Sequence, residues 1–248
     1  MTTEDKEPKI SATPEAEGEP EAEAPTKEAQ AEGTEGEPEE EEKSEDPVSE
    51  HAGIIHDFDR LLCIYYDEQV ANDLVGLIEG QDVLLVGCED GYALSSLALA
   101  GHDVTAMDFD PGHLRRCKKI LRGWQQITFI KLEGRAFPFE ENSFDCVFLS
   151  LFAHHATNPG RVFEECARVL RPGGKLVMTD LTKHEETWMM DTLHDVWLGF
   201  TSEEVSSWME DAGLEDITVH DLDAKCSGPD FDEHGASVEI LVMTAFRS

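Results

Sequence analysis

Two glycines follow a short apolar run in the segment DVLLVGCEDG, and they mark the first place where this chain could do chemistry. Gly87 and Gly91 bracket a turn directly after what reads as a buried strand. A strand that ends in such a turn brings backbone N–H groups close to a bound nucleotide. Asp108 follows about twenty residues later, at the end of a second apolar run, where a carboxylate can accept hydrogen bonds from a ribose diol. The spacing predicts a nucleotide-type cofactor site.

The composition of the turn narrows the kind of cofactor. A dinucleotide fingerprint reads GxGxxG, and the second and third of those glycines are absent here. Glu89 and Asp90 would also repel a pyrophosphate at short range. A nicotinamide dehydrogenase is therefore disfavoured, and a cofactor with a positive centre and no phosphate suits the turn better.

The elements that must position these residues alternate between strands and helices. Five apolar strand segments are separated by amphipathic helical segments, and two further strands close the chain without a helix between them. This order predicts an α/β fold with a Rossmann-like, seven-stranded, mostly parallel sheet and helices on both faces. We expect the C-terminal strand to be antiparallel, and it could pair at the sheet edge, although the segment of about 15 residues before it leaves its position open. Asp110 and Pro111 are the expected N-cap and first residue of the helix after the second strand.

The chain divides by composition near residue 50. Residues 1–50 hold nineteen acidic residues against four lysines and no aromatic residue, which predicts a disordered acidic tail. Residues 51–248 suit one domain. Within it we expect N-terminal lid helices over 51–80, a cofactor-binding core over 81–182, and a substrate-side segment with the closing strands over 183–248.

Charge and cysteine usage exclude several classes of partner. The expected domain carries −20 of the chain's net charge of −35, which argues against binding nucleic acid or an anionic membrane. No stretch has the length of a membrane span or the pattern of a secretory signal, so we expect a cytoplasmic protein. The six cysteines have no metal-ligand spacing. We therefore expect reduced thiols and no metal site.

Three segments carry motifs of one known family. They are VLLVGCEDGYALSSLALAGHDVTAMDFDPGHL, then GRAFPFEENSFDCVFLS, then HHATNPGRVFEECARVLRPGGKLVMTDL, which together span about residues 80–182. These segments resemble the class I S-adenosylmethionine-dependent methyltransferases of the methyltransferase-11-like subgroup. The most specific piece is RVLRPGG after a helix with the pattern ExxR. The subgroup includes ubiquinone and menaquinone C-methyltransferases. The resemblance implies transfer of a methyl group from S-adenosyl-L-methionine to a small-molecule acceptor.

The resemblance also implies which residues hold the cofactor. Gly87 and Gly91 would shape the loop around its methionine part, Asp108 would bind the ribose hydroxyls, and Glu133 would face the adenine amine. Ser150 and Leu151 would flank the methyl group. The cofactor residues expected on this basis are Gly87, Cys88, Glu89, Gly91, Asp108, Phe109, Glu133, Gly134, Ser150 and Leu151.

Two histidines follow the fourth strand and are candidate catalytic residues. His154 or His155 could remove a proton from an acceptor atom, because imidazole titrates near neutral pH. The alternative is that the pair packs and caps this loop.

Two further segments are candidates for a substrate pocket. Tyr65 and Tyr66 lie in the segment that resembles the lid of these enzymes, and His194 and Trp197 lie after the fifth strand. All four could line a pocket. The alternative is that each packs helices together.

The chain departs from the family motif at three positions. Leu85 replaces an acid, Glu89 replaces the middle glycine, and Glu133 replaces an aspartate. The first two leave a second interpretation open, namely a catalytically weakened or inactive protein that binds S-adenosylmethionine and regulates through the same fold.

Overall fold

A computed structural model describes residues 68–89, 91–226 and 229–248. The predictions for the acidic tail, for most of the lid segment, for Tyr65 and Tyr66, and for Asp90 lie outside these residues. The described residues form a single seven-stranded sheet with helices around it. This confirms the predicted α/β fold.

The strands follow the order β3-β2-β1-β4-β5-β7-β6 across the sheet. Their bounds are β1 Asp82–Val86, β2 Asp103–Asp108, β3 Ile127–Lys131, β4 Phe144–Ser150, β5 Leu170–Leu181, β6 Leu214–His220 and β7 Ile240–Arg247. Strands β1 to β5 pair in parallel, and β7 pairs antiparallel with both β5 and β6. The antiparallel direction of the last strand is confirmed.

The last strand does not lie at the sheet edge, because β7 lies between β5 and β6. The expectation of no helix between the last two strands is wrong, because the segment that joins them contains a short helix, Pro229–His234. This segment is long enough to let β7 turn back inside β6. Strand β7 carries a nearly continuous buried run, whereas most residues of β6 are exposed or half-buried. The more apolar strand therefore takes the interior position, and β6 becomes the edge.

Seven helices connect the strands within the described residues. They are α1 Glu68–Val75, α2 Tyr92–Leu99, α3 Pro111–Ile120, α4 Pro159–Val169, α5 Trp188–Thr192, α6 Ser202–Asp211 and α7 Pro229–His234, and a 3-10 turn covers Ala153–His155. Asp110 caps α3 as predicted, because its side chain accepts a hydrogen bond from the N–H of Gly112. Helix α5 is short and has only five residues. The backbone there turns at His194, whose φ is +59°.

Two apolar clusters, one on each face of the sheet, form the core. Along β1, Val83 and Leu85 face one cluster while Leu84 and Val86 face the other. All four side chains are fully buried, as expected for a central parallel strand that is covered on both faces. The carboxyl ends of β1, β2 and β4 therefore meet at one edge of a rigid sheet, which is the position of the candidate site.

Two further findings concern membranes and cysteines. No helix within the described residues has the length and apolar character that crossing a bilayer requires. The five described cysteines are buried and form no disulfide. Their burial confirms that they serve as small core residues.

Candidate functional site

The loop after β1 is a tight turn that only glycine permits at its two ends. Gly87 and Gly91 have φ values of +85° and +86°, a region that other residues rarely adopt. A methyl group at Gly87 would collide with the carbonyl oxygen of Ser150 on β4. The N–H of Gly91 donates to the carbonyl of Cys88 over 2.8 Å and closes the turn. The loop therefore packs directly against the end of β4.

Asp108 anchors this loop from beneath. One carboxylate oxygen accepts hydrogen bonds from the N–H of Cys88 at 2.9 Å and from Nδ1 of His113 at 3.1 Å. The other oxygen accepts from the N–H of Asp110 at 2.8 Å. The residue is 1% exposed. The structure thus places Asp108 under the loop, where it fixes the loop's shape, and its ribose role stays a prediction.

The charge of Asp108 is matched by His113. Burial alone would raise the pKa of Asp108, but the charge of His113 and hydrogen bonds from His113, Asp110 and Cys88 lower that pKa overall. Burial alone would lower the pKa of His113, and Asp108 raises it overall. The two side chains therefore form a buried ion pair. Hydrogen bonding with Cys117, burial and the charge of Asp108 raise the pKa of the Cys88 thiol, so this thiol stays neutral.

Leu85 and Glu89 are two of the three departures from the family motif, and they occupy different environments. Leu85 lies in the apolar cluster that contains Leu94 and Phe148, where a carboxylate would be buried without water. Glu89 is half-buried on the turn, with a φ of +36°. The first departure is therefore a packing substitution in the core, and the second adds a charge to the loop.

A cavity of about 420 Å³ opens at the carboxyl ends of β2, β3 and β4. Its walls are mainly apolar and aromatic. They consist of Phe109, Leu132, Gly134, Arg135, Phe137, Phe152, His155, Ala156, Thr157, Asn158, Arg161 and Val162. Its position outside the strand ends is where ligands bind in open parallel sheets.

The cavity suits a flat heteroaromatic ring on the side of β2 and β3. Phe109 and Phe152 meet edge to face with ring centroids 5.7 Å apart. Gly134 has a φ of +82°, and, apart from its two chain neighbours, no described residue lies within 4 Å of the position where its Cβ would be. Aromatic side chains beside a glycine backbone with open space in front of it suit the adenine ring of S-adenosylmethionine. Glu133, in contrast, is largely exposed and pairs with Lys131 over 3.2 Å.

Ser150 and Leu151 end β4 beneath the loop after β1. Both are buried, and Leu151 has a φ of +45°. The N–H of Leu151 donates to the carbonyl of Thr179 on β5. Ser150 therefore lies next to the glycine turn, and contact of the two residues with the methyl group stays a prediction.

His154 and His155 point to different environments. His154 is 1% exposed, and its Nδ1 lies 2.7 Å from a carboxylate oxygen of Asp180 at the end of β5. His155 is half-buried, lines the cavity and meets Phe109 edge to face. Only His155 of the pair reaches the cavity wall. His154 packs beneath it, with ring centroids 4.1 Å apart.

A buried cluster of charge supports the pair from below. Asp180 also accepts hydrogen bonds from the N–H groups of Ala153 and His154, and Asp195 lies 3.7 Å from Nε2 of His154. Burial alone would lower the pKa of His154, but the charges of Asp180 and Asp195 and the hydrogen bond to Asp180 raise it to about 9. Burial raises the pKa of Asp195 to about 6, although His154 opposes the change.

His194 and Trp197 do not line the cavity. The indole N–H of Trp197 donates to the carbonyl of Ala156 at 2.8 Å, and its ring packs near Phe200. His194 occupies the turn before Asp195. Trp197 thus holds the loop after β4 against the segment after β5. A substrate role for either residue stays a prediction.

Sequence reasoning missed several residues of this site. Asp180 could have been identified from the sequence, because it lies near the end of a buried strand, at the same sheet edge as Asp108. Asp195 could not, because it lies in an irregular segment whose position depends on the whole fold. The cavity residues Phe152, Arg135 and Arg161 also went unrecognised. Phe152 and Arg135 lie in loops that follow strand ends, and Arg161 lies in the first turn of α4.

Comparisons with known proteins agree with this architecture. Residues 84–178 match the family described as "Methyltransferase domain". A demethylmenaquinone methyltransferase from Renibacterium salmoninarum is 39% identical over 110 residues, which are 44% of this chain and 45% of the relative. The chain thus matches less than half the length of that curated relative.

Two solved structures share the fold. A SAM-dependent methyltransferase from Aquifex aeolicus superposes with a TM-score of 0.57 at 22% identity, over 74% of this chain and 91% of that one. Phosphoethanolamine N-methyltransferase 2 from Haemonchus contortus, in complex with S-adenosyl-L-methionine, gives 0.56 at 18% identity, over 69% and 49%. With the strand order, these results show that residues 84–178 match a methyltransferase domain and that the described residues share the fold of S-adenosylmethionine-dependent methyltransferases.

Proposed function

We propose that this domain transfers a methyl group from S-adenosylmethionine to a small, largely apolar acceptor. One observation carries the proposal. The cavity joins residues of the expected cofactor site, Phe109 and Gly134, to the histidine after β4, His155. Cofactor and acceptor could therefore occupy one continuous space in which the reacting atoms meet.

On the cofactor side, the chain supplies a fixed frame. Phe109 and Gly134 would hold the adenine, the turn from Gly87 to Gly91 would hold the methionine part, and Asp108 would keep that turn in shape. When bound, S-adenosylmethionine supplies a methyl group on a positively charged sulfur. The strong negative charge of the chain attracts such a cation.

On the acceptor side, the chain orients the nucleophile. The nucleophilic atom forms a bond to the methyl carbon as the carbon–sulfur bond breaks, and the electron pair of that bond stays on sulfur. Holding the two reactants in line supplies much of the acceleration in such a reaction. His155 is the side chain that would meet the acceptor, and His154 with Asp180 would fix its position from beneath.

The walls of the cavity favour a small apolar acceptor. Leu132, Phe137 and Val162 line it together with the two aromatic rings. The relatives described above are named for quinone and phosphoethanolamine substrates, which are small molecules of different chemistry. The net charge of the chain disfavours nucleic acid and anionic membrane, and we propose that the protein acts in the cytoplasm.

A second candidate function is a regulatory protein that binds S-adenosylmethionine without turnover. It is favoured by Leu85, which is buried in the core where the family motif has an acid, and by Glu89 on the turn. The two functions differ in one measurable respect. An enzyme forms S-adenosylhomocysteine in the presence of an acceptor, whereas a regulator only binds the cofactor.

Calorimetric titration of the full chain with S-adenosylmethionine and S-adenosylhomocysteine tests the proposal. We expect one site per chain, and Asp108→Ala should weaken binding at least about tenfold because the turn loses its anchor. Asp103→Ala is the matched control, since this exposed residue lies at the other end of the same strand. A folded protein that binds neither ligand would sink the proposal.

Turnover is tested separately with a panel of phenol, quinol and amine acceptors. His155→Ala should abolish formation of S-adenosylhomocysteine while cofactor binding persists. His102→Ala is the control, because His102 lies near Gly80, before β1, at the opposite sheet edge. Equal turnover by His155→Ala and wild type would contradict the assignment of His155 to the acceptor.

A further inference from the structure

Three side chains beneath the cavity converge on one point. The ligand-type atoms of His154, His155 and Asp195 all lie within 4.8 Å of one another. One carboxylate oxygen of Asp195 is 3.7 Å from Nε2 of His154 and 3.8 Å from Nδ1 of His155. These separations are too long for hydrogen bonds. They do match the spacing of atoms that share one ion, because two ligands about 2.1 Å from a metal can lie up to about 4 Å apart.

The carboxylate of Asp195 gives independent evidence for a bound cation. Its side chain is 1% exposed, and its second carboxylate oxygen is buried without a hydrogen-bond partner among the described residues. Nearly all buried carboxylate oxygens in proteins are hydrogen-bonded or bound to a cation, because leaving one unsatisfied costs free energy. A cation that both carboxylate oxygens of Asp195 and the two imidazoles bind would satisfy it.

Asp180 orients His154 for such a role. It lies against Nδ1 at 2.7 Å, which places the Nδ1 proton in that hydrogen bond and aims the lone pair of Nε2 toward Asp195. A carboxylate behind a histidine is the usual support of a metal-binding imidazole. His155 approaches from the cavity side, so the three ligands leave the direction of the cavity open.

We propose that His154, His155 and Asp195 bind a divalent first-row transition metal ion of the Zn²⁺ type. Two imidazole nitrogens and one carboxylate suit Zn²⁺ or Fe²⁺, whereas Mg²⁺ and Ca²⁺ prefer oxygen ligands alone. The ion would also offset the buried negative charges of Asp180 and Asp195. This replaces the sequence-based expectation of no metal site, which relied on cysteine and histidine spacing and could not include Asp195.

The position of the metal site suggests a role in catalysis. His155 also lines the cavity, so an open coordination position would face the acceptor. A metal ion there can polarise an acceptor oxygen and lower the pKa of its hydroxyl proton, which passes to solvent before the methyl group is accepted. This catalytic meaning rests on the proposed function, but the binding of the ion does not.

Cobalt titration of the full, chelator-treated chain tests the proposal. Co²⁺ bound by histidine and carboxylate gives visible d–d absorption, and Zn²⁺ should abolish that absorption by competition. We expect one such site per chain. Asp195→Asn and His155→Ala should each weaken Co²⁺ binding at least about 100-fold, and His102→Ala should leave it unchanged. Circular dichroism of each variant checks that it is folded.

The outcomes are separable from those of the proposed function. A folded wild-type chain without d–d absorption would overturn the metal site, and so would a site that both variants retain, since it would then lie elsewhere, for example on the acidic N-terminal residues. Titration with S-adenosylmethionine on the same samples reports the cofactor site. Loss of cobalt binding in His155→Ala with unchanged cofactor binding supports the metal proposal alone.

Discussion

The loops that follow β1 and β4 meet at the same edge of the sheet, but different forces hold them. The loop after β1 is fixed by shape, because Gly87 approaches the carbonyl of Ser150 too closely for any side chain. The loop after β4 is fixed by charge, because the buried carboxylate of Asp180 holds His154 and two backbone N–H groups.

The two loops should therefore respond differently to substitution and to pH. The loop after β1 should be destabilised by an added side chain and should depend little on pH. The loop after β4 should be destabilised by loss of a buried charge, and its stability should change with pH. The frame for a cofactor needs only a constant shape. The side that meets an acceptor or a metal ion needs groups whose protonation can change, and such groups require buried counter-charges.

The largest effect should come from removing the charge under the loop after β4. Asp180→Asn removes the carboxylate that pairs with protonated His154. It also places a neutral amide beside the N–H groups of Ala153 and His154, from which Asp180 accepts hydrogen bonds in the wild type. Breaking a buried pair from one side costs about 3–5 kcal/mol. We expect a loss of this size in the free energy of unfolding, measured by urea denaturation in the presence of a chelator.

Asp103→Asn serves as the control for charge removal at an exposed position. It should change the free energy of unfolding by less than about 0.5 kcal/mol. Equal effects of the two substitutions would show that the loop after β4 does not depend on its buried charge.

The steric support is tested by Gly87→Ala. The left-handed φ costs about 1 kcal/mol, and displacement of the Ser150 carbonyl adds about 2 kcal/mol, so the unfolding free energy should fall by about 3 kcal/mol. Gly101→Ala has a φ of +94° with no atom within 4 Å of the new methyl group, and it should lose only about 1 kcal/mol. If both variants lost the same amount, the contact with Ser150 would not matter.

A pH series sharpens the comparison. In the chelator-treated, metal-free chain, the pKa of His154 is raised from 6.5 to about 9, so the folded state binds this proton more tightly than the unfolded state. The resulting stabilisation is fully present below pH 6.5 and is lost as the pH rises to about 9. We expect the unfolding free energy to fall by up to about 3 kcal/mol over this window.

His154→Gln should remove most of that slope, measured by urea denaturation at pH 6, 7.5 and 9. His113→Gln, in the loop after β1, should leave the part due to His154 in place. A wild-type stability that stayed constant or rose over this window would contradict a protonated His154 in the folded protein.

The smallest effect on stability should come from Glu133→Gln. The side chain is 77% exposed and pairs only with Lys131, so the unfolding free energy should change by less than about 0.5 kcal/mol. If Glu133 accepts the adenine amine, affinity for S-adenosylmethionine should fall about 3- to 10-fold in calorimetry. Unchanged affinity would remove Glu133 from the cofactor site.

Local patterns predicted most of the fold. Strand and helix alternation, the cap at Asp110 and the glycine turn all depend on residues close together in sequence, so they could be read directly. The short α5 and the interior place of β7 could not, because packing against distant strands decided both. The histidine pair was found from sequence, but not which member reaches the cavity.

The sequence by itself determined the sheet, the resemblance to methyltransferases and the turn after β1, because backbone conformation and apolar periodicity are local properties. Only the tertiary structure showed that Asp108 supports the loop, that Leu85 lies in the core, and that Asp180 and Asp195 converge on the two histidines. Those contacts join segments that are far apart in the chain, and their energies depend on burial, which arises only when the whole sheet has formed.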